Sequence, residues 1–260
     1  MKYCFSTLGC VDRSLNDILA LARRYGMDAV EVRGIGGVMD NGAIAALAPE
    51  NAAQTKATLA AAGVKPLILG TSVSFHDEAK FEENLRIGKR DVALAAGLGF
   101  SAIRVFGNRI VGDEADCIRR VAEGVRTLCL AAADTGVSVY LEVHGDFHTV
   151  SRLIPIAEAC NGCDNFGLIW DVCHTHNAYG AAWRQFYEPL APYIRHVHLK
   201  DIKNGVHVLP GEGELPIREV VTTLTAQGYD GYFSLEWEKH WHKELPEIEP
   251  ALDALFAVLA

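Results

Sequence analysis

The sequence predicts an α/β fold, a single (β/α)8 TIM barrel over residues 1–260. Three observations carry this expectation. Apolar runs rich in Val, Ile, Leu and Phe alternate along the chain with longer Ala- and Leu-rich amphipathic stretches, the pattern of βα units built on a parallel sheet. Eight such units fill the 260 residues, about 32 each, with no linker or low-complexity break, which matches a closed barrel of ordinary size. Several of the apolar runs also break abruptly into carboxylates and histidines at their C-terminal ends. A strand buried on both faces should stay apolar along its length, and the C-terminal rim is where a barrel builds its active site. A doubly wound open sheet, the rival architecture, calls for G-x-G-x-x-G after the first strand. Gly34-Ile35-Gly36-Gly37 follows the second strand and opens no helix, so it reads as a flexible loop.

Taken in order, Tyr3–Leu8 reads as the first strand and Ser14–Tyr25 as the first helix, with Ser14 at its cap. Ala29–Arg33 is the second strand, and Pro49–Ala62 the second helix, ended by Gly63. Val64–Leu69 precedes a loop containing His76, and Lys80–Ala96 is a helix ended by Gly97. Ala102–Phe106 is the fourth strand, and Glu114–Thr135 a long helix stopped at Gly136. Val137–Val143 and the helix Val150–Ala159 form the fifth unit; Phe166–Asp171 and a helix around Ala181–Leu190 form the sixth. Ile194–Lys200 is the seventh strand, followed by a polar excursion over Asp201–Gly213 and a helix over Ile217–Gln227. Tyr232–Glu236 is the eighth strand, and the closing helix lies at about Pro250–Val258.

Composition narrows the function classes. Half of the residues are hydrophobic, enough to bury a sizeable core. The formal net charge of −9, with no run of basic residues, argues against a nucleic-acid partner, whose recognition needs clustered Lys and Arg. No apolar run approaches the ~18 residues of a membrane span, and the N-terminus lacks a signal-peptide pattern. Seven scattered cysteines, an odd number, argue against a secreted disulfide framework. Cys160-Asn161-Gly162-Cys163 has no second pair to complete a zinc site and reads as incidental reduced thiols. The expectation is a cytoplasmic protein with neither nucleic acid nor membrane as partner.

Four strand ends carry the chemistry. Strand five ends Tyr140-Leu141-Glu142-Val143-His144, strand six at Asp171, strand seven His196-Val197-His198-Leu199-Lys200-Asp201 and strand eight Ser234-Leu235-Glu236-Trp237-Glu238. Side chains alternate faces along a strand, so Glu142, Asp171, His198 and Glu236 would converge on one rim. Three carboxylates that close raise one another's pKa, and a divalent cation removes that penalty. An oxygen-rich set with one imidazole suits Mn2+, Co2+, Mg2+ or Zn2+. Any one of these residues alone is more readily a solvated rim residue or a cap partner, and His196 reads as a hydrogen-bonded core histidine. Four at corresponding positions of successive units favour one bound divalent metal ion.

The motifs Leu141-Glu142-Val143-His144, Trp170-Asp171-Val172-Cys173-His174, His196-Val197-His198-Leu199-Lys200-Asp201, Pro210-Gly211-Glu212-Gly213 and Tyr232-Phe233-Ser234-Leu235-Glu236 resemble the xylose-isomerase-like barrel superfamily. They are similar in particular to its sugar phosphate isomerase/epimerase branch. Gly70-Thr71-Ser72 and Ile103-Arg104-Val105-Phe106-Gly107 are also familiar from that branch, and the resemblance covers essentially the whole chain. It implies a metal quartet at Glu142, Asp171, His198 and Glu236, with Glu142 and Glu236 doubling as catalytic acid and base. It gives His174 a substrate contact, or a ligand role for a second metal as in the superfamily's apurinic endonucleases. Departures are visible. Gly107 and Gly205 stand where a multinuclear site expects ligands, although His76 and His207 could match two others. Asn204 replaces an arginine that the ketohexose epimerases use on a substrate hydroxyl.

The expected reaction is proton transfer next to a carbonyl of a small carbohydrate, through a metal-stabilised enediolate, giving an isomerase or epimerase. Candidate substrate contacts are His174, His144, Lys200, Arg104, His207 and Lys203. Trp170, Trp183, Trp237, Trp241, Phe75 and Phe106 are candidates to wall a sugar-sized pocket. Trp237–His242 reads as a loop near the mouth, available as a lid or as a contact within a homo-oligomer. The same enediolate losing a β-hydroxyl would give an inosose- or dehydroshikimate-type dehydratase. An apurinic-endonuclease-like phosphodiester hydrolase and a silent binding module on an enzyme fold are the remaining alternatives.

Overall fold

The computed structural model describes residues 1–260. Its strands, in chain order, are β1 (Lys2–Phe5), β2 (Ala29–Val32), β3 (Lys65–Ser74), β4 (Ala102–Phe106), β5 (Ser138–Glu142), β6 (Phe166–Asp171), β7 (Ile194–Leu199), β8 (Asp201–Lys203), β9 (Val206–Val208) and β10 (Tyr232–Leu235). Eight of them form one parallel sheet in the order β1-β10-β7-β6-β5-β4-β3-β2. The two ends of that order meet where Ser6, just past β1, bridges in parallel to Glu31 of β2, bringing the sheet round into a barrel. At eight strands a barrel's interior is just wide enough for side chains to fill it. The helices are α1 (Leu15–Arg24), α2 (Ala52–Ala62), α3 (Phe81–Leu98), α4 (Glu114–Ala132), α5 (Val150–Ala159), α6 (Val172–Tyr179), α7 (Arg184–Leu190), α8 (Ile217–Ala226) and α9 (Ile248–Leu259). No helix is long and apolar enough to cross a membrane.

Local chemistry sets the boundaries. Ser14 caps α1 in a capping box with Asp17, and β4, α5 and β6 begin and end where the sequence pattern places them. The first strand stops at Phe5 rather than Leu8, because Ser6 Oγ accepts from the Leu8 amide and turns the chain into a short 3-10 helix over Thr7–Cys10. α3 continues through Gly97 and stops at Gly99, whose left-handed φ of +83° lets its amide reach back to Ala95 and Ala96. Gly34–Gly37 is a tight turn closed by pairing of Ile35 with Val38, not a flexible loop. The polar excursion after β7 contains the antiparallel hairpin β8–β9. The sixth unit differs most: α6 starts directly after β6, and a 3-10 turn over Gly180–Ala182 separates it from α7.

Two packed layers result. Between strands and helices lies an apolar cluster of 65 buried residues. Trp170, Trp183, Trp237 and Phe75 are fully buried there, so they support the scaffold instead of walling a pocket. Trp170 packs against Phe186 and Tyr187 and donates from Nε1 to Thr175 Oγ1 at 3.0 Å. A second apolar cluster is much smaller: Ile68, Ala102 and Ile169, with Leu67 and Tyr140 against them. Glu31, Arg104, Glu142, Asp171, His196, His198, Ser234 and Glu236 are also buried. They touch one another between strands that are not sheet neighbours, as β2 with β7 and β4 with the end of β10. Such contacts run across the inside of the barrel.

Candidate metal centre and pocket

β5, β6, β7 and β10 are consecutive in the sheet, and each delivers one side chain of a buried cluster: Glu142, Asp171, His198 and Glu236. One donor atom from each lies within 4.8 Å of all the others. The register explains the convergence, since Asp171 pairs with His198 and His198 with Ser234, two residues before Glu236. His198 Nδ1 stands 3.4 Å from Glu236 Oε2 and 4.0 Å from Glu142 Oε2. Glu142 Oε2, Asp171 Oδ2 and His198 Nδ1 are enclosed and make no hydrogen bond of good geometry, although Arg104 and Lys200 form ion pairs with the two carboxylate oxygens. Three such atoms aimed at one point, in a set of three carboxylates and one imidazole, fit a divalent cation.

The supports of this cluster come from outside it. Asp171 divides its two oxygens: Oδ1 caps α6 by accepting from the Cys173 and His174 amides at 2.8 and 3.3 Å, and Oδ2 faces the cluster. His198 is held through its other nitrogen, Nε2 to Glu31 Oε2 at 2.9 Å. That bond fixes the ring so that Nδ1 points inward, the usual carboxylate support of a metal-binding histidine. The same Glu31 oxygen is 3.2 Å from His196 Nε2 and accepts from Ser234 Oγ at 3.3 Å, so His196 is the hydrogen-bonded core histidine expected. Arg104 Nη1 lies 2.9 Å from Glu142 Oε2 and 3.4 Å from Glu236 Oε1, and its guanidinium stacks on Phe106. Lys200 Nζ lies 2.8 Å from both Asp171 Oδ2 and Glu236 Oε2 and also pairs with Glu238.

Ionisation follows these neighbours. Burial pushes Glu142 up to about 7, against Arg104 and with help from Glu236. Burial would also raise Asp171, but Lys200 and His174 outweigh it and hold the carboxyl below its ordinary value. For Glu236 burial is outweighed by His198 and Lys200, and the group stays well below the usual carboxylate range. Burial opposes charge on His198, yet Glu236 and Glu31 hold it well above the ordinary histidine value. His144 is driven down to about 3 by burial and then by His174 and Lys200, so it is neutral near pH 7.

Above the cluster opens a cavity of about 300 Å³. Glu142, Glu236, Glu238, Lys200, Arg104, His144, Arg33, Ser72 and Asn108 line it, and only Leu8, Phe106 and Trp241 of its twelve lining residues are apolar. Of the candidate substrate contacts, Lys200, Arg104 and His144 face this space, and the His174 ring lies 4.2 Å from that of His144. His207, on the hairpin, sits 4.0 Å from Glu238 and 4.6 Å, ring to ring, from His242. Lys203 is exposed on β8 and has no place in the lining. Of the aromatic candidates only Phe106 and Trp241 reach the cavity. Gly107 packs on the Phe147 ring, where an added Cβ would collide with it, and His76 joins none of the donor clusters.

Glu31 and Arg33 are the residues that sequence reasoning passed over. The signal was present, because Ala29-Val30-Glu31-Val32-Arg33 alternates apolar and charged residues at the end of a strand.

A parallel barrel with a carboxylate- and histidine-rich centre at the C-terminal ends of its strands defines a class of metal-competent (β/α)8 proteins. Over residues 19–258 the chain matches the xylose isomerase-like TIM barrel family, and it belongs to that family. It is 29% identical over 144 residues to an inosose dehydratase of Yersinia enterocolitica, covering 46% of this chain and 48% of that one. It is 26% identical over 131 residues to a fructoselysine 3-epimerase of Escherichia coli O157:H7, covering 45% and 44%. The chain thus spans about half the length of the curated relatives it matches. Among solved structures, the IOLI protein with a bound zinc atom superposes with a TM-score of 0.78 at 21% identity, over 99% of this chain and 96% of that one.

Proposed function

We propose that this chain is a divalent-metal-dependent enzyme of small carbohydrates that moves a proton at a carbon next to a carbonyl, as an isomerase or epimerase. One observation carries the reading. Of the four cluster residues, only Glu142 and Glu236 line the cavity, and β6 and β7 separate their strands. A substrate seated in the cavity therefore meets two carboxylates, one from the end of β5 and one from just past β10. A cation bound by Glu142, Asp171, His198 and Glu236 would supply a Lewis acid for the substrate carbonyl; the partial likeness to an epimerase and the zinc of the IOLI protein support a metal-dependent reading.

The remaining steps belong to side chains. One glutamate accepts the α-proton, and the C–H electron pair passes into the enediolate. A proton returned from the opposite glutamate to the opposite face gives the epimer, and one returned to the neighbouring carbon gives the isomer. Arg104 and Lys200 sit where negative charge develops and stabilise it without reorganising. His144, neutral near pH 7, donates or accepts a hydrogen bond to a substrate hydroxyl. A second reading, loss of a β-hydroxyl as water from the same enediolate, is favoured by the partial match to an inosose dehydratase.

The test combines metal analysis with deuterium exchange at the α-carbon of ketoses and keto-cyclitols, for wild type, Glu142→Gln and Glu236→Gln. The expected metal-to-protein ratio is near one, much reduced in Glu236→Gln. Glu142→Gln should exchange about 10²–10⁴-fold more slowly, the usual size of a lost acid–base group. A new carbon–carbon double bond in the product would select the dehydratase. Failure to bind Mn2+, Co2+, Mg2+ or Zn2+ would sink the mechanism, and a ratio of two or three would redirect it to phosphodiester hydrolysis.

A further inference from the structure

The cations inside the barrel are not equivalent. Arg104 and Lys200 each lie within 3 Å of a carboxylate oxygen. Arg33 is nearly as enclosed, with 6% of its surface exposed, and it forms no ion pair. Its guanidinium donates only to neutral acceptors, from Nη1 to the Met39 carbonyl at 3.2 Å and from Nη2 to Ser72 Oγ at 2.7 Å. Burial and then the neighbouring Arg104 pull its pKa down to about 10, which leaves it charged at neutral pH. A buried charge without a counter-charge in contact is costly; Glu142, Glu236 and Glu31 act on Arg33 only from beyond ion-pair distance, and the residue lines the cavity.

The fold holds this unpaired cation deliberately. A Cβ on Gly70 would lie 2.8 Å from Arg33 Cδ, so the glycine makes room for the arginine stem. Thr71 Oγ1 donates to the Arg104 carbonyl at 2.7 Å, and Ser72 takes the guanidinium. The Gly70-Thr71-Ser72 motif is thereby a cradle for two arginines. β2, which Arg33 directly follows, and β3, which carries Ser72, lie across the ring from β6 and β7, which carry Asp171 and His198.

We propose that Arg33, with Ser72, forms an anion subsite, and that the substrate is an acidic polyhydroxy carbonyl compound whose carboxylate or phosphate binds there while its carbonyl lies at the four-residue cluster. The inference rests on the carbohydrate reading above for the carbonyl end, and on the unpaired guanidinium for the acidic end.

The experiment is calorimetric titration of the metal-loaded protein with sorbitol, D-gluconate and sorbitol 6-phosphate, for wild type, Arg33→Met and Arg33→Lys. Wild type should bind at least one acid about tenfold or more tighter than sorbitol, the scale of a charge-assisted hydrogen bond. Whether gluconate or the phosphate is preferred identifies the anion. Arg33→Met should bind all three about equally, and Arg33→Lys should keep part of the preference. Equal binding of all three by wild type overturns the proposal, whether or not the methionine variant folds. So does a preference that survives in Arg33→Met, since the cation alone would then explain it. Because binding is read without turnover, failure of α-deuterium exchange leaves this result standing and counts only against the proton-transfer reading.

Discussion

The layer between strands and helices and the layer inside the strands are built from the same backbone by opposite rules. Outside, 65 buried residues form one continuous apolar cluster, and successive strands feed it with Val30, Val32, Leu141, Trp170 and Val197. Inside, apolar packing stops at a floor of Ile68, Ala102 and Ile169. Above that floor the same strands present Glu31, Arg104, Glu142, Asp171 and His198. Hydrophobic burial, worth about 25 cal/mol per Å², accounts for the first layer. Such burial does not explain the second, because desolvating charges is costly unless they are paired. The outer layer secures the fold, which lets the inner one keep a charge pattern suited to chemistry.

If that division is right, the two layers should fail differently. The largest effect on stability is expected in the outer layer. Leu128 is fully buried and packs over Gly88 between α4 and α3; Leu128→Ala should cost about 2–5 kcal/mol, read as a lower urea midpoint. Its metal content per folded molecule should match wild type, and a fall in that ratio would break the comparison. Next in size is Glu31→Gln, which weakens the support under His198. Metal affinity, measured against a competing chelator, should drop about 10–100-fold. Unchanged affinity with a lower urea midpoint would move Glu31 into the scaffold. Smallest is Lys203→Ala, on the exposed hairpin face, with a stability change within about 0.5 kcal/mol and unaltered metal binding and turnover. A clear loss of turnover would bring the hairpin into the pocket.

The same contrast explains what could be read from the sequence. Strands that end in a break from apolar to charged residues were legible: β4 and β6 fall on their expected bounds, and Glu142, Asp171, His198 and Glu236 come together as the strand-end pattern suggests. Glu31 was hidden because β2 is four residues long and its alternation is too brief to stand out. Helix α6 was hidden for another reason. Val172–Tyr179 has little apolar periodicity, and the helix owes its start to the carboxylate of Asp171, a residue whose sequence context speaks for a ligand. The tryptophans misled because an aromatic residue next to a site residue points to the opposite face of the strand: Trp170 precedes Asp171 and Trp237 follows Glu236, and both are core.

Asp171 links the two layers mechanically. One of its oxygens is gripped by the first amides of α6 and the other faces the cluster, so the side chain works as a short connecting rod. His174 supplies one of those amides, so the seat of α6 and the aim of the carboxylate are fixed together. The rim and the first turn of α6 are thus a single hydrogen-bonded unit, with no joint between the strand end and the helix that follows it.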